Sequence, residues 1–470
     1  MGRNLYRIAA ILLVGASLAG GSAQALAQGN GSGTDNPDLL RGPLGFSCSP
    51  GTLCDVPASD LVARPVSAPM TLAAPVSAPP AATTGFAQPA TPVAVPAVSP
   101  HPIVDSGGFG DLHYGMSLRG AYVRTDAHER FELIAIPEFG LSRHGGATDL
   151  DVDASLNIVL PTDSDARVSR AELGATVEHR LSPSAGLSFD TGLALHQDDP
   201  TGLTVDDADV AIAPQTLTGH AQMGYVQRFG RFNAGATLGL SRNWVGDTTR
   251  IDGTTFSNDG DSYTRYEGGV RVGYAVTPLI EVFGAGEAGR SEFDAVDPGL
   301  GAFRTSSDMV LRGGIAANWQ DVLTVEASVG SGWRQYDAAG LADAQSWLYA
   351  ASLGYQATAT TRFTTSFETD LTPGHGAYGG AITRYGLDLG VRHIANSWLT
   401  LRGNAGAALL VREDGSEDGR RYNAGLGAEL VLGPHSTATL DYDYAVREDY
   451  GATPTERDEH RISAGVSLRY

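Results

Sequence analysis

"NAGLGAELVLGPHSTATLDYDYAV" (Asn423–Val446) reads as two stretches of alternating residues joined by a short break. In the first, Ala424, Leu426, Ala428, Leu430 and Leu432 alternate with Asn423, Gly425, Gly427, Glu429 and Val431. In the second, Ala438, Leu440, Tyr442, Tyr444 and Val446 alternate with Thr437, Thr439, Asp441, Asp443 and Ala445. Successive side chains on a strand point to opposite faces, so each stretch is a strand with one apolar and one polar face.

The same texture recurs in about eighteen segments from Gly107 to Tyr470. They begin near Tyr114, Phe131, Leu150, Ser169, Leu187, Leu217, Phe232, Tyr263, Ile280, Met309, Leu323, Ser346, Arg362, Thr383, Leu399, Tyr422, Thr437 and His460. Most run about 10–14 residues, long beside the roughly 5–6 of a soluble strand and enough for the roughly 9–11 that cross a bilayer at a tilt. Their connections alternate in length. "FGR" (Phe229–Arg231), "VTP" (Val276–Pro278), "WQD" (Trp319–Asp321), "TAT" (Thr358–Thr360), "ANS" (Ala395–Ser397) and "GPH" (Gly433–His435) are short. Between them lie longer polar runs, among them those from Gln197, Val245, Asp294, Thr372, Glu413 and Glu448. Short turns at one rim and long loops at the other mark an outer-membrane barrel. The predicted fold is all-β: a transmembrane antiparallel up-and-down barrel of about 18 strands, within a range of 16–18, with both termini on the short-turn side.

Lipid offers no hydrogen bonds, so the strands must close on themselves. The apolar stripe then faces outward and the polar stripe faces the lumen. Trp347, Tyr349, Phe363, Tyr385, Tyr422, Trp319, Tyr225 and Phe232 fall outward near strand ends, as an interfacial girdle would. Gly235, Gly239, Gly269, Gly273, Gly425 and Gly427 fall inward, where they relieve crowding. Alternation also directs both signs of charge inward. The candidate lumen-lining residues are Arg119, Arg170, Arg265, Arg271, Arg312, Arg384, Arg392, Arg402, Glu172, Glu267, Glu326, Asp388, Glu429, Asp441 and Asp443. Intermixed, they neutralise one another; sorted into separate rows, they set a transverse field and ion selectivity. Alternation gives the face but not the height.

Upstream of the strands the chain changes character. Arg3 and Arg7 precede "IAAILLVGASLAG", and Ala25 and Ala27 supply a cleavage pattern. Residues 1–27 therefore read as a secretory signal peptide. The run falls short of the roughly 18 apolar residues of a spanning helix. Residues 28–106 form a predicted disordered Pro/Ala-rich segment, with "PVSAP" at Pro65–Pro69 and again at Pro75–Pro79. About fifty polyproline-like residues at ~3.1 Å each reach on the order of 150 Å, enough for residues 55–103 to act as a periplasmic spacer or a tether to peptidoglycan or a periplasmic partner. Cys48 and Cys54 are spaced for a small disulfide loop but do not require one.

The chain carries 32 basic residues, all arginine, against 53 acidic ones, for a net charge of −21. That balance argues against nucleic-acid binding. Asp388 and His393, five residues apart, fall on opposite faces of one strand. The eleven histidines form no converging set with Ser and an acid, so no enzyme is predicted and no cofactor is called for. The Asp-rich loops near Asp206 and Asp259 lack the spacing of a calcium loop, and no metal site is predicted.

The last residues, "SAGVSLRY", complete the pattern. Ser463, Gly465, Leu468 and Tyr470 resemble the terminal assembly signal of bacterial outer-membrane proteins, with tyrosine where phenylalanine is commoner. This resemblance implies recognition by the barrel-assembly machinery. Residues 107–470, from "LHYGMSLRGAYVRT" through "IPEFGLSRHGGATDLD" onward, resemble the proteobacterial putative beta-barrel porin type 2 family. It implies a channel in the outer membrane of a Gram-negative bacterium. The expected function is passive diffusion of small hydrophilic solutes by a porin-like barrel in contact with outer-membrane lipid and lipopolysaccharide. Two alternatives stand beside it. One is a non-conducting structural or envelope-assembly barrel with a periplasmic tethering arm. The other is an autotransporter, for which the segment before Gly107 is short and unstructured.

Overall fold

The computed structural model describes residues 110–126, 128–203, 205, 209–319, 322–374, 380–450 and 455–470. The signal peptide, the Pro/Ala-rich segment and the Cys48–Cys54 spacing lie outside them.

The strands are β1 (Asp111–Thr125), β2 (Glu129–His144), β3 (Thr148–Pro161), β4 (Arg167–Ser182), β5 (Ala185–Gln197), β6 (Val210–Ile212), β7 (Gln215–Phe229), β8 (Phe232–Val245), β9 (Thr248–Arg250), β10 (Thr255–Phe256), β11 (Tyr263–Ala275), β12 (Ile280–Phe293), β13 (Ser306–Trp319), β14 (Leu323–Tyr336), β15 (Ala344–Thr358), β16 (Thr361–Pro373), β17 (Ala381–Asn396), β18 (Leu399–Arg412), β19 (Glu417–Gly433), β20 (Ser436–Asp449) and β21 (Thr455–Arg469). Eighteen of them form one antiparallel sheet, each beside its sequence neighbour, and β21 pairs with β1 to close the ring. Closure removes the free edge that lipid would not tolerate. Tyr114 and Tyr470 exchange both backbone hydrogen bonds at 2.9 Å, and their rings stack at 5.7 Å.

The turns at 183–184, 230–231, 359–360, 397–398 and 434–435 share the rim that holds Asp111 and Tyr470. Loops 198–214, 246–262 and 294–305 share the other rim. Barrel strands run 13–17 residues, longer than expected. They carry on past the lipid, where both faces turn polar and alternation no longer marks them.

Outward positions are apolar and exposed, as with Leu118, Leu193, Leu238, Val270, Ile315, Leu440 and Ile462. Tyr225, Phe232, Trp319, Trp398 and Tyr470 ring the short-turn end; Phe131, Trp244, Trp347 and Tyr349 ring the other. Several glycines of the described strands fall on the inner face, where they make room for larger side chains. Large inner side chains lie flat over glycines of the next strand. Glu267 lies between Gly239 and Gly289, Arg312 beside Gly330, Arg402 beside Gly427 and Arg119 beside Gly465. A Cβ at Gly239 would stand 2.6 Å from Glu267 Oε1, so the wall has no room for one.

The ring is lapped at one place. Pairing of β15 with β16 stops at Ala350–Glu368, whereas β16 and β17 stay paired to Pro373–Ala381. Leu371 and Ala381 pack against Val310, Ala344 and Leu348, of which Val310 and Leu348 are on the inner face. The long-loop end of β16–β17 therefore sits inside β15, where Thr383 Oγ1 donates to Ser346 Oγ at 3.2 Å.

Candidate channel lining and mouth

Register puts every predicted lining residue on the inner face, and it divides them into groups. On β11–β14, Arg265 donates to both Asp308 oxygens at 2.6 and 2.8 Å, and its Nε reaches Glu267 at 3.0 Å. Nearer the short-turn rim, Arg271 donates to Glu326 at 2.9 and 3.2 Å, meets Glu281 at 3.4 Å and lies 3.5 Å over the Phe283 ring. Arg170 pairs with Glu172 at 2.6 Å, Arg384 with Asp370 at 3.8 Å, and Arg402 with Asp441 at 3.1 Å. Arg119 stands beside Gly465 on the seam that closes the ring. Arg312, between Ala285 and Gly330, leaves all three guanidinium nitrogens without a hydrogen bond, as do both oxygens of Glu287 one row away.

Two rows of like charge stand out, although Arg402 at the end of one is also paired with Asp441. Arg362, Arg392 and Arg402 are direct neighbours in register across β16, β17 and β18. Across the ring, Asp151 and Asp153 on β3 face Thr176 and Gly174 on β4, and Asp190 follows on β5. Seven strands (β7, β8, β11–β15) separate the rows one way round, and five (β19–β21, β1, β2) the other. Each row lies in the short-turn half of its strands. Asp190 is held by His220 at 2.6 Å and Thr176 at 2.9 Å; Glu429 faces inward opposite Thr400, one step beyond the arginines.

A mid-wall cluster joins Asp388, Asn404, Asn423 and Asp443 around Gly406 and Gly425. The asparagines were not foreseen. Their sequence signal is a repeat, "RGNAG" (Arg402–Gly406) and "RYNAG" (Arg421–Gly425), on adjacent strands.

The mouth at the long-loop rim is knit by arginines that alternation alone does not single out. The described residues that follow β5, 198–203 and 205, reach β2, β20 and β21. Asp199 Oδ2 accepts from Arg130 and Arg167, both at 2.5 Å. Arg130 also pairs with Glu132 at 2.7 Å, and Glu132 with Arg461 at 2.9 Å. Further along, Arg447 donates to the Leu203 carbonyl at 3.3 Å and Arg457 to that of Val205. Val205, Val210 and Ala213 form a small apolar core. Strands β6, β9 and β10 tie this loop to loop 246–262. Arg304 joins that loop, its own and the β16–β17 tip, through Asp261, Asp297 and the carbonyls of Gly260 and Gly374. Asp261 is thus engaged by an arginine.

Ser463 and Ser467 face inward, whereas Val466, Leu468 and Tyr470 face lipid. Ser467 Oγ lies 2.7 Å from Ser117 Oγ across the closing seam. A closed antiparallel ring with a lipid-facing apolar belt, short turns on one side and long loops on the other is the form that spans the Gram-negative outer membrane.

Among solved structures, the outer-membrane protein OpdK of Pseudomonas aeruginosa is similar at 12% identity, covering 77% of this chain and 99% of that one, with a TM-score of 0.40. OccAB4 of Acinetobacter baumannii follows at 10%, 78%, 100% and 0.38. The ferric enterobactin receptor PfeA of Pseudomonas aeruginosa follows at 8%, 77%, 80% and 0.42. No curated protein matches the sequence. The family model described as "Putative beta-barrel porin 2" matches residues 140–470, and the chain belongs to that family.

Proposed function

We propose that the barrel is a diffusion channel for small hydrophilic solutes. The observation that carries this is the arginine row of β16–β18 set across the lumen from the carboxylate row of β3–β5, inside a ring of eighteen strands. Barrels of about 16–18 strands are wide enough to enclose water. Opposed charges orient a dipolar solute and slow an apolar one. Reconstitution in planar bilayers tests the reading: discrete conductance steps are expected, and a folded barrel that never conducts overturns it. Lipid and lipopolysaccharide contact the outer belt, the tail engages the assembly machinery, and residues 55–103 extend into the periplasm.

The inward β16–β17 tip and the latched loop favour a second reading, a non-conducting structural barrel tethered by residues 55–103. Deleting those residues separates the two: lost envelope integrity with no conductance in either form supports the structural role.

A further inference from the structure

We infer that the mid-wall cluster on β17–β20 is a binding site for a neutral, polyhydroxylated solute, a saccharide or polyol; this rests on the channel reading above. The repeat Arg-x-Asn-Ala-Gly places Arg402, Asn404 and Gly406 on the inner face of β18, and Arg421, Asn423 and Gly425 on that of β19. Because the strands are antiparallel, Asn404 pairs with Gly425 and Gly406 with Asn423. Each asparagine lies over the other strand's glycine, and an aspartate closes each side. Asn404 Oδ1 and Asp443 Oδ1 come within 2.5 and 2.7 Å of the point where a Cβ on Gly425 would stand. Asn423 Oδ1 and Asp388 Oδ1 crowd the equivalent point over Gly406. Glycine at both positions is what lets an asparagine and an aspartate converge over each strand.

The cluster's polar atoms are enclosed and unmet. Asn404 is 8% exposed and Asp443 7% exposed. Both polar atoms of Asn404, both carboxylate oxygens of Asp443 and Nδ2 of Asn423 lack a hydrogen-bond partner. The flanking arginines are directed elsewhere, Arg402 to Asp441 and Arg421 to Asp449 at 2.8 Å. A buried polar group without a partner is costly and calls for one. A cation would satisfy the oxygens and leave the amide nitrogens bare. An anion would satisfy the nitrogens and meet two carboxylates. A hydroxyl both donates and accepts, and adjacent hydroxyls match donors and acceptors that alternate along one wall. Whichever way each amide is turned, it offers one of each to the same space. The cluster lies near the middle of its strands, so a permeating solute passes it halfway.

Single-channel recording with trehalose, against a polyethylene glycol of matched mass, tests the site. Steps in potassium chloride alone establish the channel. Trehalose at millimolar concentration is then expected to interrupt the current, and the glycol is not. Asn404→Ala with Asn423→Ala is expected to keep the salt conductance and weaken the interruptions about tenfold. Gly425→Ala, whose Cβ would push Asn404 and Asp443 out of their positions, does the same without removing a polar group. Interruptions equal for both probes, or unchanged in the variants, overturn the inference. If no conductance appears, calorimetric titration of the solubilised barrel decides separately: trehalose heat lost in the double variant keeps the site while the channel reading fails, and no heat removes the site as well.

Discussion

Asp199 fixes the position of the mouth loop. Burial works against its charge, but the Arg130 and Arg167 guanidiniums beside it, with two bonds from Thr201, hold its carboxyl below the usual carboxylate range. A carboxyl depressed on folding stabilises the folded form above its unfolded pKa, near 3.9, and loses that contribution as pH falls through the folded value. The latch is therefore expected to hold unchanged from about pH 8 to pH 5 and to release only in stronger acid. Limited proteolysis within residues 198–214 follows it. Cleavage should be slow across that range and several-fold faster in Asp199→Asn at pH 7; rapid cleavage of the unaltered protein at pH 5 would show that other groups hold the loop. Glycines make the complementary case. A Cβ at Gly330 would clash with the Leu311 carbonyl, and one at Gly340 meets nothing within 4 Å. Gly330→Ala should cost about 1–3 kcal/mol by overpacking and Gly340→Ala little, as urea unfolding in micelles would read. The glycines' inward face was legible from alternation. Their role as floors for particular arginines and carboxylates was not, because only register shows which residue lies beside which.

Strands were the most legible elements, because a strand with lipid on one face and the lumen on the other alternates with a period of two. Position in the ring was legible too: alternating turn lengths implied a meander, and the tail's Ala464, Val466, Leu468 and Tyr470 implied a last strand that faces lipid. The closure on β1 makes that tail structural. Tyr470→Asp removes the stack on Tyr114 and on His435, whose ring lies 5.0 Å away, and puts a charge at the interface. Its heat-modifiable, assembled fraction in the outer membrane is expected to fall several-fold; wild-type assembly would refute this. The end of β16–β17 was not legible. Phe367, Thr369 and Leu371 alternate with Glu368, Asp370 and Thr372 as an ordinary wall strand would, yet the tip packs inside β15. An outward-type residue, Leu371, finds its apolar partners on the inner faces of β13 and β15, and nothing in a local period reports such a lap. Ser346→Cys with Thr383→Cys should form a disulfide on mild oxidation, seen by a mobility shift that reductant reverses; free thiols in the folded barrel would place the tip back in the wall.

At the scale of the whole molecule the question is what the ring does with charge. A net charge of −21 describes the chain, not the passage, since loops and the outer rim carry much of it. Inside, most arginines are neutralised by acids within one or two strands, and such pairs contribute little field at a distance. The rows that remain sorted dominate: Arg362 and Arg392 on one side, Asp151 and Asp153 on the other. Asp190 contributes less, because His220 and Thr176 already engage it. The rows act across water and are screened by salt over a Debye length of about 10 Å at 0.1 M, so their effect is greatest in dilute electrolyte. Arg362→Gln with Arg392→Gln should move the reversal potential in a potassium chloride gradient toward that of potassium. Asp151→Asn with Asp153→Asn should move it toward chloride. Both shifts should shrink as salt rises, with little change in the number of strands or in heat stability. Equal shifts at low and high salt would mean that the variants altered the width of the passage and not its field, and no shift from either pair would place the narrow part of the path away from these rows, at the latched mouth.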